Sequence, residues 1–379
     1  MGARGIPPPP RAVRRVLAPL WPLVGLVVTG LMVPVVVAGA LHSLVDRRAR
    51  LFRCACLAVL LMWVDIRMLV RCWVLGAEPH DDRAPEWREA HERLLSDALD
   101  SLMFYTRRWL GLEVRLTDRM HFGTAGRPLL ALARHAGPFD SLAVAWLLAR
   151  TAGRLPRIVL AEALRWDPGV DTILTRLDSF FVPSAGEDRL AGVRGMAGTL
   201  GDDDVLLIFP EGQNWTPSRR AHLIERLRRR GEHRRAARAE ALVNVLPPKT
   251  RGAWAAREAR PGADVMVVAH AGYGQLSSPR LIWDAMPFRD RPFLVRTWTW
   301  RSEDVPSDPV AFAAWLDARW DEVDAWVTAH TDPGGIPERR PATGSAAALP
   351  DALPDASPDA SPDDPSGSSG GTAGGTVAP

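Results

Sequence analysis

The chain has 379 residues, 47% of them hydrophobic, and a formal net charge of +3, enough apolar material for one sizeable core with appendages. Its three cysteines, Cys54, Cys56 and Cys72, lack a second pair or a histidine partner, which argues against a zinc site and implies no disulfide framework. The charge is uneven: from Ala346 onward there are five aspartates and no base, leaving +8 on the remainder, nearly all of it arginine because Lys249 is the only lysine. Such a bias favours anionic lipid or phosphate as partners.

Residues 1–15 form a basic arm with Arg4, Arg11, Arg14 and Arg15. Residues 16–45 hold no Asp, Glu, Lys or Arg, and the run "LVGLVVTGLMVPVVVAGAL", with Pro34 as a candidate kink, is long enough to cross a hydrocarbon core, which needs about 20 residues. A second apolar segment, 54–75, admits Asp65, Arg67 and Arg71 and is too polar to span alone. The expectation is an apolar helical hairpin over 16–78, or a second helix lying in the interface with its arginines toward phosphates. A secretory signal is the rival reading, with Arg14-Arg15 as basic region and "AGA" at 38–40 as cleavage site. The length of the run and the second apolar segment behind it favour a retained anchor. Arg47, Arg48, Arg50 and Arg53 follow the first helix as others precede it, so the positive-inside bias cancels.

Residues 79–332 alternate short apolar runs with amphipathic stretches, predicting an α/β domain whose mixed, largely buried sheet is flanked by helices. The expected strands are "LLALAR" (129–134), "RIVLA" (157–161), "FFVP" (180–183), "VLLIF" (205–209), "VNVL" (243–246), "VMVVAHA" (265–271) and "FLVRTWTW" (293–300). Continuous apolar runs suit buried strands, whereas the last alternates and suits a half-exposed or edge strand.

Two strand ends carry chemistry. In "ARHAGPFDSLAVAWLLAR" His135 follows a buried strand, Gly137-Pro138 turn the chain, and Asp140 opens a helix. A histidine leaving a strand and an aspartate in the next first turn can meet, fixing the imidazole tautomer and raising its basicity for general-base work on a hydroxyl. The bland alternative is a helix cap beside a turn histidine. In "VLLIFPEGQNWTP" a second buried strand runs into Phe209, Pro210, Glu211 and Gly212, at the same sheet edge. Gly212 permits close backbone approach to a ligand.

These motifs resemble the glycerolipid acyltransferase family, whose archetype is 1-acylglycerol-3-phosphate acyltransferase. H-x-x-x-x-D at His135–Asp140 and F-P-E-G at Phe209–Gly212 carry the resemblance, with "VLPPKTRGA" (245–253) and "WLDARWDEVDAW" (315–326) similar to the lysocardiolipin-acyltransferase-like branch. It covers roughly residues 80–330. The resemblance implies the glycerolipid acyltransferase fold and transfer of a fatty acyl group from acyl-CoA or acyl-carrier protein to the hydroxyl of lysophosphatidic acid or another lysophospholipid. It makes His135 the general base and Asp140 its orienting carboxylate, with no acyl-enzyme, metal or cofactor. Phe209, Pro210, Glu211, Gly212 and Gly137 then line the substrate, and backbone N–H groups near Gly137 or a bound water stabilise the oxyanion. Where the family's second motif ends in a phosphate-gripping arginine, this chain has Ser184, leaving Arg189 and Arg219 (with Arg220) as candidate phosphate contacts. The implied location is the inner membrane, with the catalytic domain on the cytoplasmic face. The alternative function is an inactive, membrane-anchored lipid-binding or scaffold protein.

The run 218–238 holds nine arginines against Glu225 and Glu232 without interleaved aromatics, which suits anionic headgroups, CoA phosphates or a solvated face rather than nucleic acid. His270, on a buried strand, reads as a core residue. Several of the fifteen tryptophans fall in the C-terminal third, as an interfacial belt or as core. Residues 333–379, rich in Pro, Ala, Asp and Gly, have the composition of a disordered tail.

Overall fold

Runs of four to eight apolar residues cannot leave either face in water, and here they form the centre of one covered sheet. A computed structural model describes residues 7–82, 84–137, 139–182, 188–273, 279–289 and 291–331. Arg4, Pro138, Ser184 and the 333–379 tail lie outside the described residues. Three helices come first: α1 (Arg11–His42), α2 (Arg50–Ala77) and α3 (Pro85–Leu110). Then follow β1 (Val114–Leu116), β2 (Leu129–Ala133), α4 (Asp140–Ala152), β3 (Pro156–Ala161), a short 3-10 helix (Glu162–Trp166), α5 (Pro168–Arg176), β4 (Phe180–Val182) and α6 (Asp188–Gly198). The chain continues through β5 (Val205–Ile208), α7 (Pro217–Arg229), α8 (His233–Ala241), α9 (Thr250–Ala259) and β6 (Asp264–Ala271). It closes with α10 (Pro279–Ala285), β7 (Phe293–Trp300) and α11 (Pro309–Ala329).

Among the described residues the strands form a seven-stranded mixed sheet in the order β1-β7-β6-β2-β5-β3-β4. The five strands β6, β2, β5, β3 and β4 are mutually parallel, while β7 runs antiparallel to β6 and carries β1 parallel to itself. Every residue of β2, β5 and β6 is buried. Leu130, Leu206, Val265 and Val267 pack with Ala253 and Ala256 of α9 and Leu316, Trp320 and Val323 of α11. Because β2, β5 and β6 point the same way, the chain leaves all three at one sheet edge, where parallel sheets place ligands.

The C-terminal tryptophans belong to this core. Trp320 and Trp326 are buried, and Trp298, Trp300 and Trp315 pack against the same cluster. "VNVL" is not a strand. Its backbone groups are taken by side chains instead: Asp324 of α11 accepts the N–H of Val243 at 3.1 Å and of Asn244 at 2.6 Å, and Arg134 donates to the Asn244 carbonyl. β1, too short to show a pattern, was not expected, and its pairing leaves half-exposed β7 second from the edge. The nine-arginine run is two helices, α7 and α8, parted at Gly231, whose φ of +70° suits glycine.

α1 is the one helix among the described residues long and apolar enough, by length and composition, to cross a membrane. It packs along α2, with Gly39 allowing a close approach: a Cβ there would lie 2.8 Å from the backbone nitrogen of Phe52. The polar residues of α2 engage protein rather than standing free. Asp65 accepts Trp21 Nε1–H at 2.6 Å, Arg67 donates to Ser101 at 3.0 Å, and Arg71 meets Asp97 at 3.4 Å.

Asp324→Ala strips the acceptor from two backbone N–H groups, so we expect a loss of about 3 kcal/mol in urea unfolding, with Asp324→Asn recovering part of it.

Candidate active site

The turn after β2 is built around one carboxylate. Asp140 is the first residue of α4 rather than its cap, and its side chain folds back on the turn that precedes it. Oδ2 accepts the N–H of Gly137 at 2.5 Å and also that of Ala136. The same oxygen lies 3.6 Å from Nδ1 of His135 and 3.4 Å from Nε2 of His270. A Cβ at position 137 would approach Asp140 Oδ1 to 3.3 Å, which is why glycine suits the turn. Burial alone would raise the Asp140 carboxyl; the charge of His270 and the polar contacts of both imidazoles outweigh it and hold its pKa far below the ordinary carboxyl range. Asp140 is 3% exposed against 19% for the His135 side chain, so the imidazole, not the carboxylate, is the group a substrate can reach. With Nδ1 turned toward Asp140, Nε2 is the free apex of the ring, which stacks at a tilt on Phe209 with centroids 4.6 Å apart. The 3.6 Å separation is of ion-pair length, and Nδ1 makes no hydrogen bond. Such contacts commonly tighten when substrate binds.

The second strand end holds the first in place. Glu211 is buried, and its two oxygens accept the N–H of His135 and of Leu246, each at 2.9 Å. Trp215 N–H donates to the His135 carbonyl at 2.6 Å, so the main chain of His135 is fixed on both sides. Burial pushes the Glu211 carboxyl up to about 8, against the pull of the Arg134 charge and the two backbone donors. Pro210 is buried and its carbonyl accepts Lys249 N–H at 2.8 Å. Gly212, exposed and at φ +67°, lies under the Lys249 side chain: a Cβ there would stand 2.5 Å from Nζ. Partial desolvation, then the charges of Arg226 and Arg189, lower the Lys249 pKa.

Of the residues read from the sequence, His135, Gly137, Asp140, Phe209 and Glu211 form one cluster. Gly137 commits its N–H to Asp140, as does Ala136, which takes both groups away from the oxyanion role left open to this turn. Arg219 is exposed on α7 and donates to the Asn214 carbonyl at 3.1 Å; Arg189, exposed on α6, contributes charge at Lys249.

Three neighbours were not placed at the site by the sequence. Arg134 is 1% exposed, and its guanidinium donates to the carbonyls of Asn244 and His270, each at 2.8 Å. His270 is indeed buried, but beside Asp140, with Nε2 also 3.0 Å from the Arg134 carbonyl and its ring stacked on Phe293. Lys249 carried a signal as the only lysine and His270 as a histidine on a buried strand, but nothing local places His270 or Arg134 beside Asp140, because β2 and β6 become neighbours only in the sheet.

Residues 113–270 match the family model described as Acyltransferase, a segment that runs from β1 through β6 and contains both strand ends. No curated protein matches the chain. Among solved structures, the chain is similar to the crystal structure of the 1-acyl-sn-glycerophosphate (LPA) acyltransferase, PlsC, from Thermotoga maritima. That similarity has a TM-score of 0.44 at 14% identity and covers 69% of this chain and 87% of that one.

Asp140→Asn keeps the shape and removes the charge. A carboxyl depressed in the folded state contributes stability above its ordinary value of 3.8 and loses it as pH falls. We therefore expect the variant to melt lower than wild type at neutral pH, with the gap narrowing below about pH 4 in a series of thermal melts.

Proposed function

We propose that the domain, whose residues 113–270 match the Acyltransferase family model, is a glycerolipid acyltransferase that transfers a fatty acyl group from acyl-CoA or acyl-carrier protein to the free hydroxyl of a lysophospholipid, lysophosphatidate first among them. The observation that carries this reading is the His135–Asp140 pair at a strand end, with the imidazole exposed and the carboxylate buried behind it.

His135 Nε2 takes the proton of the acceptor hydroxyl as its oxygen attacks the thioester carbonyl. The imidazolium formed is stabilised by Asp140, which stays ionised. Collapse of the tetrahedral intermediate breaks the carbon–sulfur bond, and the departing thiolate regains the proton from His135. No side-chain nucleophile is consumed. Glu211 acts as a positioning residue, since its oxygens are occupied by the His135 and Leu246 N–H groups. Phe209 supports the imidazole face, while Pro210 and Gly212 shape the turn on which Lys249 rests. Lys249, with Arg189 and Arg219, supplies cations for the acceptor's phosphate. A small apolar cavity lined by Leu112, Phe139, Tyr273, Ile282 and Phe288 borders Gly137 and Asp140, and the acyl chain would enter there by parting these side chains. α1 anchors the domain to the bilayer, on the cytoplasmic face of the inner membrane where such donors are found.

Membranes carrying His135→Ala are expected to lose acyl transfer by about 10²–10⁴-fold, measured with labelled acyl-CoA and acyl-carrier protein over a panel of lysophospholipids. Equal rates for wild type and variant with every acceptor would instead support a non-catalytic scaffold.

A further inference from the structure

A second site lies away from the catalytic turn, where the start of α1 meets α5 and the short 3-10 helix. A cavity of about 360 Å³ there is lined by Arg11, Arg14, Arg15, Arg165, Asp171 and Thr172, among others. Four guanidiniums thus face one carboxylate. Asp171 fixes two of them: Arg165 NH1 donates to it at 2.6 Å and Arg14 NH1 lies 3.3 Å away. Arg165 is further held by its guanidinium carbon standing 3.9 Å over the ring of Phe181. Each arginine carries five N–H donors in a planar fork, of which these contacts use few. Arg11 and Arg15 are exposed and have no hydrogen bond or ion pair among the described residues. The first turns of α1 and α5 both border the cavity, adding the positive ends of two helix dipoles.

A surplus of held and unpaired guanidiniums around a cavity of this size is suited to a phosphate, which arginine forks bind bidentately. What surrounds it selects the bearer of that phosphate. Leu17 and Ala18 line the same cavity, and from there α1 turns an apolar face outward, with Val16, Leu20, Leu23 and Leu26 each about half exposed. Leu164 and Trp166 flank Arg165 and are also exposed. Polar cavity and apolar helix face are continuous, which fits an amphiphile and not a free ion. We propose that this cavity binds the headgroup phosphate of an anionic bilayer phospholipid, whose acyl chains lie along α1, and that the bound lipid ties α1 to α5. The proposal does not depend on the acyltransfer reading.

The test is native mass spectrometry of the full chain in detergent, with phosphatidylglycerol, phosphatidylcholine or inorganic phosphate as the added probe. Wild type is expected to retain phosphatidylglycerol over phosphatidylcholine. Arg11→Gln/Arg15→Gln should weaken that retention by about tenfold, Arg11→Lys/Arg15→Lys should keep most of it, and Arg260→Gln after α9, where the arginine pairs with Asp202, should leave it unchanged. Equal retention by the glutamine variant, with circular dichroism showing it folded, overturns the site. Equal retention of phosphatidylcholine reduces it to apolar contact with α1, and displacement of phosphatidylglycerol by millimolar inorganic phosphate makes it a free-phosphate site. Either result overturns the lipid assignment.

Discussion

The burial of charge behind the ends of β2 and β6 is the constraint to which the rest of this structure answers. Arg134, Asp140, Glu211 and Asp324 are all nearly inaccessible to water, and a polar or ionic group there is stable only if its hydrogen-bonding valences are filled. Main-chain groups fill them. Asp140 takes N–H groups from its own turn, Glu211 takes them from two separate segments, Asp324 holds the 243–246 loop, and Arg134 caps the carbonyls that loop and β6 offer. Removing one partner would strand the others, which explains why so much irregular backbone persists beside a well-packed sheet.

His135 gains its position from this arrangement. Its N–H and its carbonyl are both held by the loop after β5, through Glu211 and Trp215, and its Nδ1 faces Asp140 of α4, so the ring has little freedom left except at Nε2. Rigid main-chain support suits the general-base role proposed for His135, because proton transfer is sensitive to small displacements. The price is a cluster of buried carboxyls whose protonation states are coupled to the fold itself.

The N-terminal helices show a different kind of surface. α1 leaves much of its apolar surface uncovered, yet it is not a detached appendage. Trp21 reaches Asp65 on α2, Arg14 reaches Asp171 on α5, and Gly39 lets the two long helices approach closely. Polar contacts at one end and an uncovered apolar face along the rest are a combination suited to an interface between water and hydrocarbon.

Much of this was legible in the linear chain. Continuous apolar runs mark β2, β5 and β6 because a doubly covered strand has no polar face to show, and His135, Asp140 and Glu211 stood out as ionisable residues where such runs stop. "VNVL" was misread for the same reason: a loop whose backbone is satisfied by Asp324, Glu211 and Arg134 can be as apolar as a strand. By itself the sequence determined the buried strands, the apolar α1 and the two strand-end motifs, because these rest on local hydrophobic pattern and short spacing. Only the tertiary structure decided that Glu211 holds the main chain of His135, that His270 shares Asp140 with it, and that the arginines beginning α1 meet Arg165 in one cavity. Those relations join residues 76 to 154 positions apart, and sheet order and helix packing, not neighbouring sequence, set which of them touch.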